Sequence, residues 1–185
     1  MRLRALIVTP LALLIGLSAD VLAHGEQGSV HSESGPVIKE QTAWGIAGDP
    51  GEATRQIEVT MTDEMRFAPD QLSFKEGETV RLSVTNAGAL MHELVIGDEA
   101  SLRDHAEWML KFPDMEHDEP YMAHVPPGET IDLVWTFNRA GEFRFACLIP
   151  GHYQAGMVGN LSVTRPPSAA AANQAETVTA HAHTH

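Results

Sequence analysis

Apolar and polar positions alternate through most of the middle of the chain. In "RQIEVTMT" (residues 55–62), Ile57, Val59 and Met61 fall on one face, the period-two pattern of a half-buried strand. "DQLSFKEGETVRLSVTNAG" holds two alternating runs on either side of a Glu76-Gly77-Glu78 turn. "HELVIG" is a short apolar run closed by Gly97. "TIDLVWTF" sends Ile131, Leu133, Trp135 and Phe137 to one side. "GEFRFAC" puts Phe143, Phe145 and Cys147 on one face and Glu142, Arg144 and Ala146 on the other, and "MVGNLSVT" completes the set. Short strands with turn signals at this spacing predict an all-β sandwich.

One stretch breaks the alternation. "DEASLRDHAEWMLKF" places Leu102, Ala106, Met109 and Leu110 at helical spacing, with Asp98 as N-cap and Pro113 as the stop. The polar run "PDMEHDEPYMAHVPPGE" follows. A helix and a long loop, about 98–128, are therefore expected as an insertion between two strands, and loops of that length in a compact domain tend to carry function.

The ends follow neither period. Arg2 and Arg4 precede the apolar run "ALIVTPLALLIGL", and Val21 and Ala23 suit a signal-peptidase site. Residues 1–23 are expected to be a signal peptide cleaved after Ala23, its apolar run short and broken for a membrane span, with a retained N-terminal anchor as the alternative. Residues 24–53, rich in Gly, Ser, Glu and Pro, read as a flexible N-terminal arm, with Trp44 and Ile46 able to strap it onto the domain. Residues 54–165 form the predicted domain, and 166–185 a disordered His-rich tail ending in "HAHTH". Export implies a periplasmic, oxidising setting in which Cys147, the chain's single cysteine, has no partner within the chain. Such a thiol is reactive, intermolecularly bridged or metal-bound. The formal charge of −13 and the lack of any basic stripe exclude nucleic acid as a partner and favour cations or basic proteins.

Chemistry gathers in "ACLIPGHYQAGM". Cys147 ends a strand, "LIPG" turns the chain, His152 stands on the return, and Met157 follows a second turn. Thiolate, imidazole and thioether form the soft set that selects copper, and a trigonal site needs one more imidazole. His92, at the start of "HELVIG" after an Asn-Ala-Gly turn, is the candidate. His92, Cys147, His152 and an axial Met157 make up the ligand pattern of a blue-copper site. Zinc fits less well, because a methionine is a poor zinc ligand. The plainer alternative is a buried inert thiol with Met157 as core packing.

"CLIPGHYQAGM" resembles the ligand loop of the cupredoxins, and its C-x4-H-x4-M spacing is closer to rusticyanin than to plastocyanin or azurin. "MRFAPDQLSFKEGETVRLSVTNAGALMHELVIG" resembles the other half of that family's site, where a histidine after the Asn-x-Gly turn is the first ligand. The insertion and the His-rich ends also resemble periplasmic cupredoxins linked to copper tolerance. The resemblance implies a Greek-key cupredoxin β-sandwich holding one type 1 copper ion. It implies one-electron Cu(II)/Cu(I) cycling, with His152 as the partly exposed ligand and Leu90, Ile149, Pro150 and Tyr153 as the apolar patch around it. Copper oxidases and nitrite reductases flank the cysteine with histidine, where this chain has Ala146 and Leu148, so an enzyme is not expected.

Two functions remain open: a monomeric electron carrier serving a redox partner such as a basic c-type cytochrome, and a copper-tolerance protein that sequesters or oxidises periplasmic copper. Glu93 stands where plastocyanin and azurin carry asparagine. Its carboxylate either stabilises Cu(II) or faces solvent on the strand's other side. His105, Met109, Met115, His117, Met122 and His124 in the insertion, and His24, His181, His183 and His185 at the ends, raise the idea of additional weakly bound copper. Their spacing fits no tight ligand template, and the plainer reading is a helix-core Met109 with solvated histidines.

Overall fold

The computed structural model describes residues 39–113 and 117–166. The expected signal peptide, most of the arm, nearly all of the tail and Met115 lie outside the described residues. The first sheet contains β1 (Ile46–Ala47), β2 (Arg55–Thr62), β3 (Arg66–Ala68), β5 (Glu78–Asn86) and β8 (Thr130–Phe137), in the order β1-β8-β5-β2-β3. The second contains β4 (Gln71–Lys75), β6 (His92–Gly97), β7 (Met122–Val125), β9 (Gly141–Ala146) and β10 (Val158–Thr164), in the order β4-β10-β9-β6-β7. The β2–β5 and β4–β10 pairs are parallel and the rest antiparallel. Consecutive β4 and β5 belong to different sheets, so the turn at Glu76-Gly77-Glu78 carries the chain from one layer to the other.

The inward faces are the apolar ones that the alternation predicts. Val59 and Met61 of β2, Val80, Leu82 and Val84 of β5, and Leu133, Trp135 and Phe137 of β8 are buried against Leu94, Ile96, Phe145 and Leu161 of the second sheet. Phe74 stacks on Phe137 with centroids 4.1 Å apart, and Phe67 meets Phe145 edge to face at 5.0 Å. Pairs of this kind add roughly 0.5–1.5 kcal/mol beyond their buried area. The stretch expected as the end of the arm carries β1, paired with β8. There Trp44 packs edge-on against Tyr121, and its carbonyl accepts from Trp135 Nε1 at 3.2 Å.

The helix α1 (Glu99–Lys111) begins where Asp98 accepts from the Ser101 N–H at 2.7 Å. Leu102, Ala106 and Met109 are buried, and they pack with Val95, Met122, Ala146 and Leu148 as a second apolar cluster. Alternation puts Val95 and Ala146 on the opposite side of the sheet from the main core. The insertion therefore covers the outer face of β6 and β9. Leu110, grouped by its spacing with the buried positions, is instead about half exposed beside Trp108 and Phe112. The polar run expected to be all loop contains β7, whose four residues pair with β6. Its histidine, prolines and acids disguise an edge strand. No helix among the described residues is long and apolar enough to cross a membrane.

Candidate metal centre

Three structural features meet at one end of the sandwich. β6 opens with His92, β9 ends just before Cys147, and the turns between β9 and β10 carry His152. One ligand atom from each of His92, Cys147 and His152 lies within 4.8 Å of the others. The His92 and His152 rings are 5.0 Å apart, and Cys147 Sγ is 3.3 Å from His152 Nδ1. Met157 is fully buried in the same apolar cluster as Cys147. Its carbonyl accepts the Cys147 N–H and its own N–H reaches the His152 carbonyl, each at 3.1 Å. The loop thus closes on itself through backbone bonds. Gly151 and Gly156 allow its turns with φ of 93° and 89°, values that side chains with a Cβ resist.

The supporting contacts fix each ring and lone pair. His92 is fully buried, and its Nε2 lies 3.1 Å from Asp63 Oδ1. With the proton held there, Nδ1 is left with a bare lone pair, and that buried atom has no hydrogen-bond partner. A buried nitrogen of this kind is costly unless something binds it. A carboxylate behind a histidine is also the usual companion of a metal-bound imidazole. Asp63 itself is anchored by the N–H groups of Ala89 (2.8 Å) and Leu90 (3.2 Å). These, with the His92 ring, hold its carboxyl below the usual range. Asn86 ties down the same segment, donating to the carbonyls of Leu90 (2.7 Å) and Val125 (2.8 Å).

Burial pushes the Cys147 thiol up to about 12, while the backbone N–H groups of Glu93 and Ile149 favour the thiolate. Burial, and then the neighbouring His92, hold His152 below its ordinary value. Two imidazoles and a thiol whose proton a cation can displace fit a soft metal ion.

Glu93 corrects the solvent-facing alternative. It does point to the opposite face from His92, but α1 packs over that face and the side chain is fully buried. Its Oε1 accepts the N–H of Leu148, the residue after Cys147, at 2.8 Å. Its Oε2 faces His124 Nδ1 at 3.1 Å, and this carboxylate raises His124 above the ordinary histidine value. Sequence reasoning missed the roles of Asp63 and Asn86. The "TNAG" turn before His92 marked the segment, but nothing local marked its anchors.

The model of the copper binding proteins of the plastocyanin/azurin family matches residues 53–164. A protein called copper-resistant cuproprotein CopI from Rubrivivax gelatinosus is 42% identical over 152 residues, covering 82% of this chain and 92% of that one. A protein of the same name from Pseudomonas aeruginosa is 37% identical over 150 residues, covering 65% of this chain and 82% of the other. The reduced auracyanin of Roseiflexus castenholzii superposes with a TM-score of 0.53 at 21% identity, covering 60% of this chain and 98% of that one. That last likeness speaks to the fold alone.

Proposed function

Because the chain belongs to the copper-binding plastocyanin/azurin family, we propose that His92, Cys147 and His152 would hold one copper ion, with the thioether of Met157 as a fourth ligand. The observation that carries this reading is the convergence of one donor atom each from His92, Cys147 and His152, in a site where the buried His92 Nδ1 has no hydrogen-bond partner. Copper, when bound, supplies a one-electron couple between Cu(II) and Cu(I).

The chain's residues do the rest. Asp63 keeps the His92 ring in one tautomer and one orientation. The backbone bonds among Cys147, His152 and Met157 hold the loop in a single shape, so little has to move when the charge changes. Burial of Cys147 and Met157 excludes water from the thiolate. His152 is only partly buried; its N–H donates to the carbonyl of partly buried Ile149, and half-exposed Leu90 and Met91 directly precede His92, whose ring is 5.0 Å from its own. That rim gives an electron a short way out and gives a partner an apolar landing surface.

The setting that fits best is copper tolerance in the periplasm, after export by the expected signal peptide. The names of the two curated relatives favour this role over a respiratory carrier. The test is a copper titration followed by visible absorption, with metal analysis after gel filtration. An intense thiolate-to-Cu(II) band saturating at one copper per chain is expected, and its absence from a folded, reduced protein overturns the reading. A deletion strain separates the roles. Copper sensitivity with normal respiration is the expected outcome, and the reverse points to a carrier.

A further inference from the structure

Outside the primary centre, three histidines of the insertion come together. His105 is on α1, His117 is in the segment that follows, and His124 is on β7. His105 lies three residues after Leu102 and four before Met109, both buried, so its ring is held at the edge of the helix's packed face. His105 Nε2 and His117 Nε2 are 2.7 Å apart, and the two rings are 4.6 Å apart. At that distance at least one nitrogen must offer a bare lone pair, since two protonated rings would repel. Burial, and then the adjacent His117, hold His105 below its ordinary value, which favours the neutral imidazole.

His124 is engaged at both ring nitrogens, by Glu93 on one side and by the His117 carbonyl at 3.0 Å on the other. It anchors the backbone of His117, whose ring stands against His105.

We propose that His105 and His117 form a second, exchangeable site for Cu(II), separate from the primary centre, with His124 as the residue that positions His117. Imidazole pairs suit copper and zinc, with copper bound more tightly. With metal–nitrogen bonds of about 2.0 Å, adjacent positions on a tetragonal Cu(II) would need the two nitrogens roughly 2.8 Å apart, and a tetrahedral zinc ion roughly 3.3 Å. His117, in a segment without regular structure, can move that far while His105 stays on its helix. All three histidines are only partly buried, so the remaining coordination positions are open to water and the ion can leave. Such a site suits the hand-over of copper rather than electron transfer, and it goes beyond the function proposed above.

The test is calorimetric titration of the full chain with Cu(II), with Zn(II) as a second probe, comparing the wild type with His105→Gln and His117→Gln. Each variant is expected to bind the second equivalent at least tenfold more weakly, while the intense band of the primary centre is unchanged. His124→Ala should give a smaller loss of the same kind. A second equivalent bound equally well by wild type and both variants overturns the proposal and places that ion elsewhere, such as at the histidines of the chain ends. So does the lack of any second equivalent in the wild type. If His105→Gln fails to fold, His117→Gln carries the test. The wild-type-to-variant difference can be read with Zn(II) whether or not the primary centre takes copper, so the two readings fail independently.

Discussion

The two histidine groups of this molecule are built in opposite ways. At the primary centre His92 is fully buried, its ring is fixed by Asp63, and Cys147 and Met157 are wholly out of water. In the insertion the rings of His105, His117 and His124 are only partly buried, and the contacts between them are hydrogen bonds that a solvent molecule or an ion can replace. The same side chain therefore serves two ends. On the proposed reading, desolvation and a rigid loop suit the first group to an ion that stays and changes charge, and partial exposure suits the second to an ion that comes and goes. Glu93 joins them, with one oxygen on the ligand loop at Leu148 and the other on His124.

The comparison breaks most completely at the thiol. Cys147→Ser keeps the shape of the loop but replaces a soft donor with a hard one. Loss of the intense visible band is expected, with weak copper binding persisting at the insertion. Retention of the band would mean that the thiolate is not its source.

The next largest effect belongs to the residue that links the regions. Glu93→Ala leaves the buried Leu148 N–H without its acceptor and His124 without its counter-ion. An unsatisfied buried group of this kind costs about 1–3 kcal/mol, so the urea midpoint of the metal-free protein should fall clearly. Glu93→Gln keeps an acceptor for Leu148 and should cost less. In the copper-loaded protein it should raise the reduction potential, because it removes a negative charge that favours Cu(II). Equal destabilisation by Ala and Gln, or an unchanged potential in Gln, would each count against the role given to the carboxylate.

A smaller effect, confined to the primary centre, is expected from Asp63→Ala. The His92 ring keeps its packing but loses the group that fixes its tautomer. Losses of outer partners of this type lower metal affinity by roughly 10–100-fold. Competition with a copper chelator measures this loss. An unchanged affinity would show that burial alone orients the ring.

These variants also mark how much could be read from the sequence. The meeting of Cys147 with His152 and Met157 is local, carried by eleven residues and two turns, and the strand pattern places His92 at the right end of the sandwich. The alternation of β2, β5, β8 and β9 likewise predicts which residues face the core. What depends on non-local packing was not legible. Alternation alone sends Glu93 toward solvent, and only the docking of α1 over β6 and β9 buries it. One signal did exist. "LVIG" is apolar at successive positions and β6 is buried along its whole length, as expected of a strand covered on both faces. Met122–Val125 hid as loop because one short edge strand among acids and prolines carries too few alternations to count. The approach of His105 to His117 follows from where α1 ends, which helical periodicity alone does not give.

An ion pair outside both regions provides the baseline for these effects and the smallest one. Arg165 Nε donates to Glu76 Oε2 at 2.7 Å near the end of β10, with side-chain exposures of 75% and 25%. The Arg165 guanidinium holds the Glu76 carboxyl below its ordinary value. A carboxyl whose pKa is lower in the folded state contributes stability above its unfolded pKa and loses it as the pH falls through the folded value. Arg165→Ala should therefore lower stability slightly at neutral pH and not at all once Glu76 is protonated in both states. The wild-type and variant urea midpoints should converge in acid. Added salt should narrow the neutral-pH gap, because the pair is solvent-screened. A gap that persists unchanged in acid and in high salt would mean that Arg165 acts through packing of its alkyl stem against the strand end rather than through its charge.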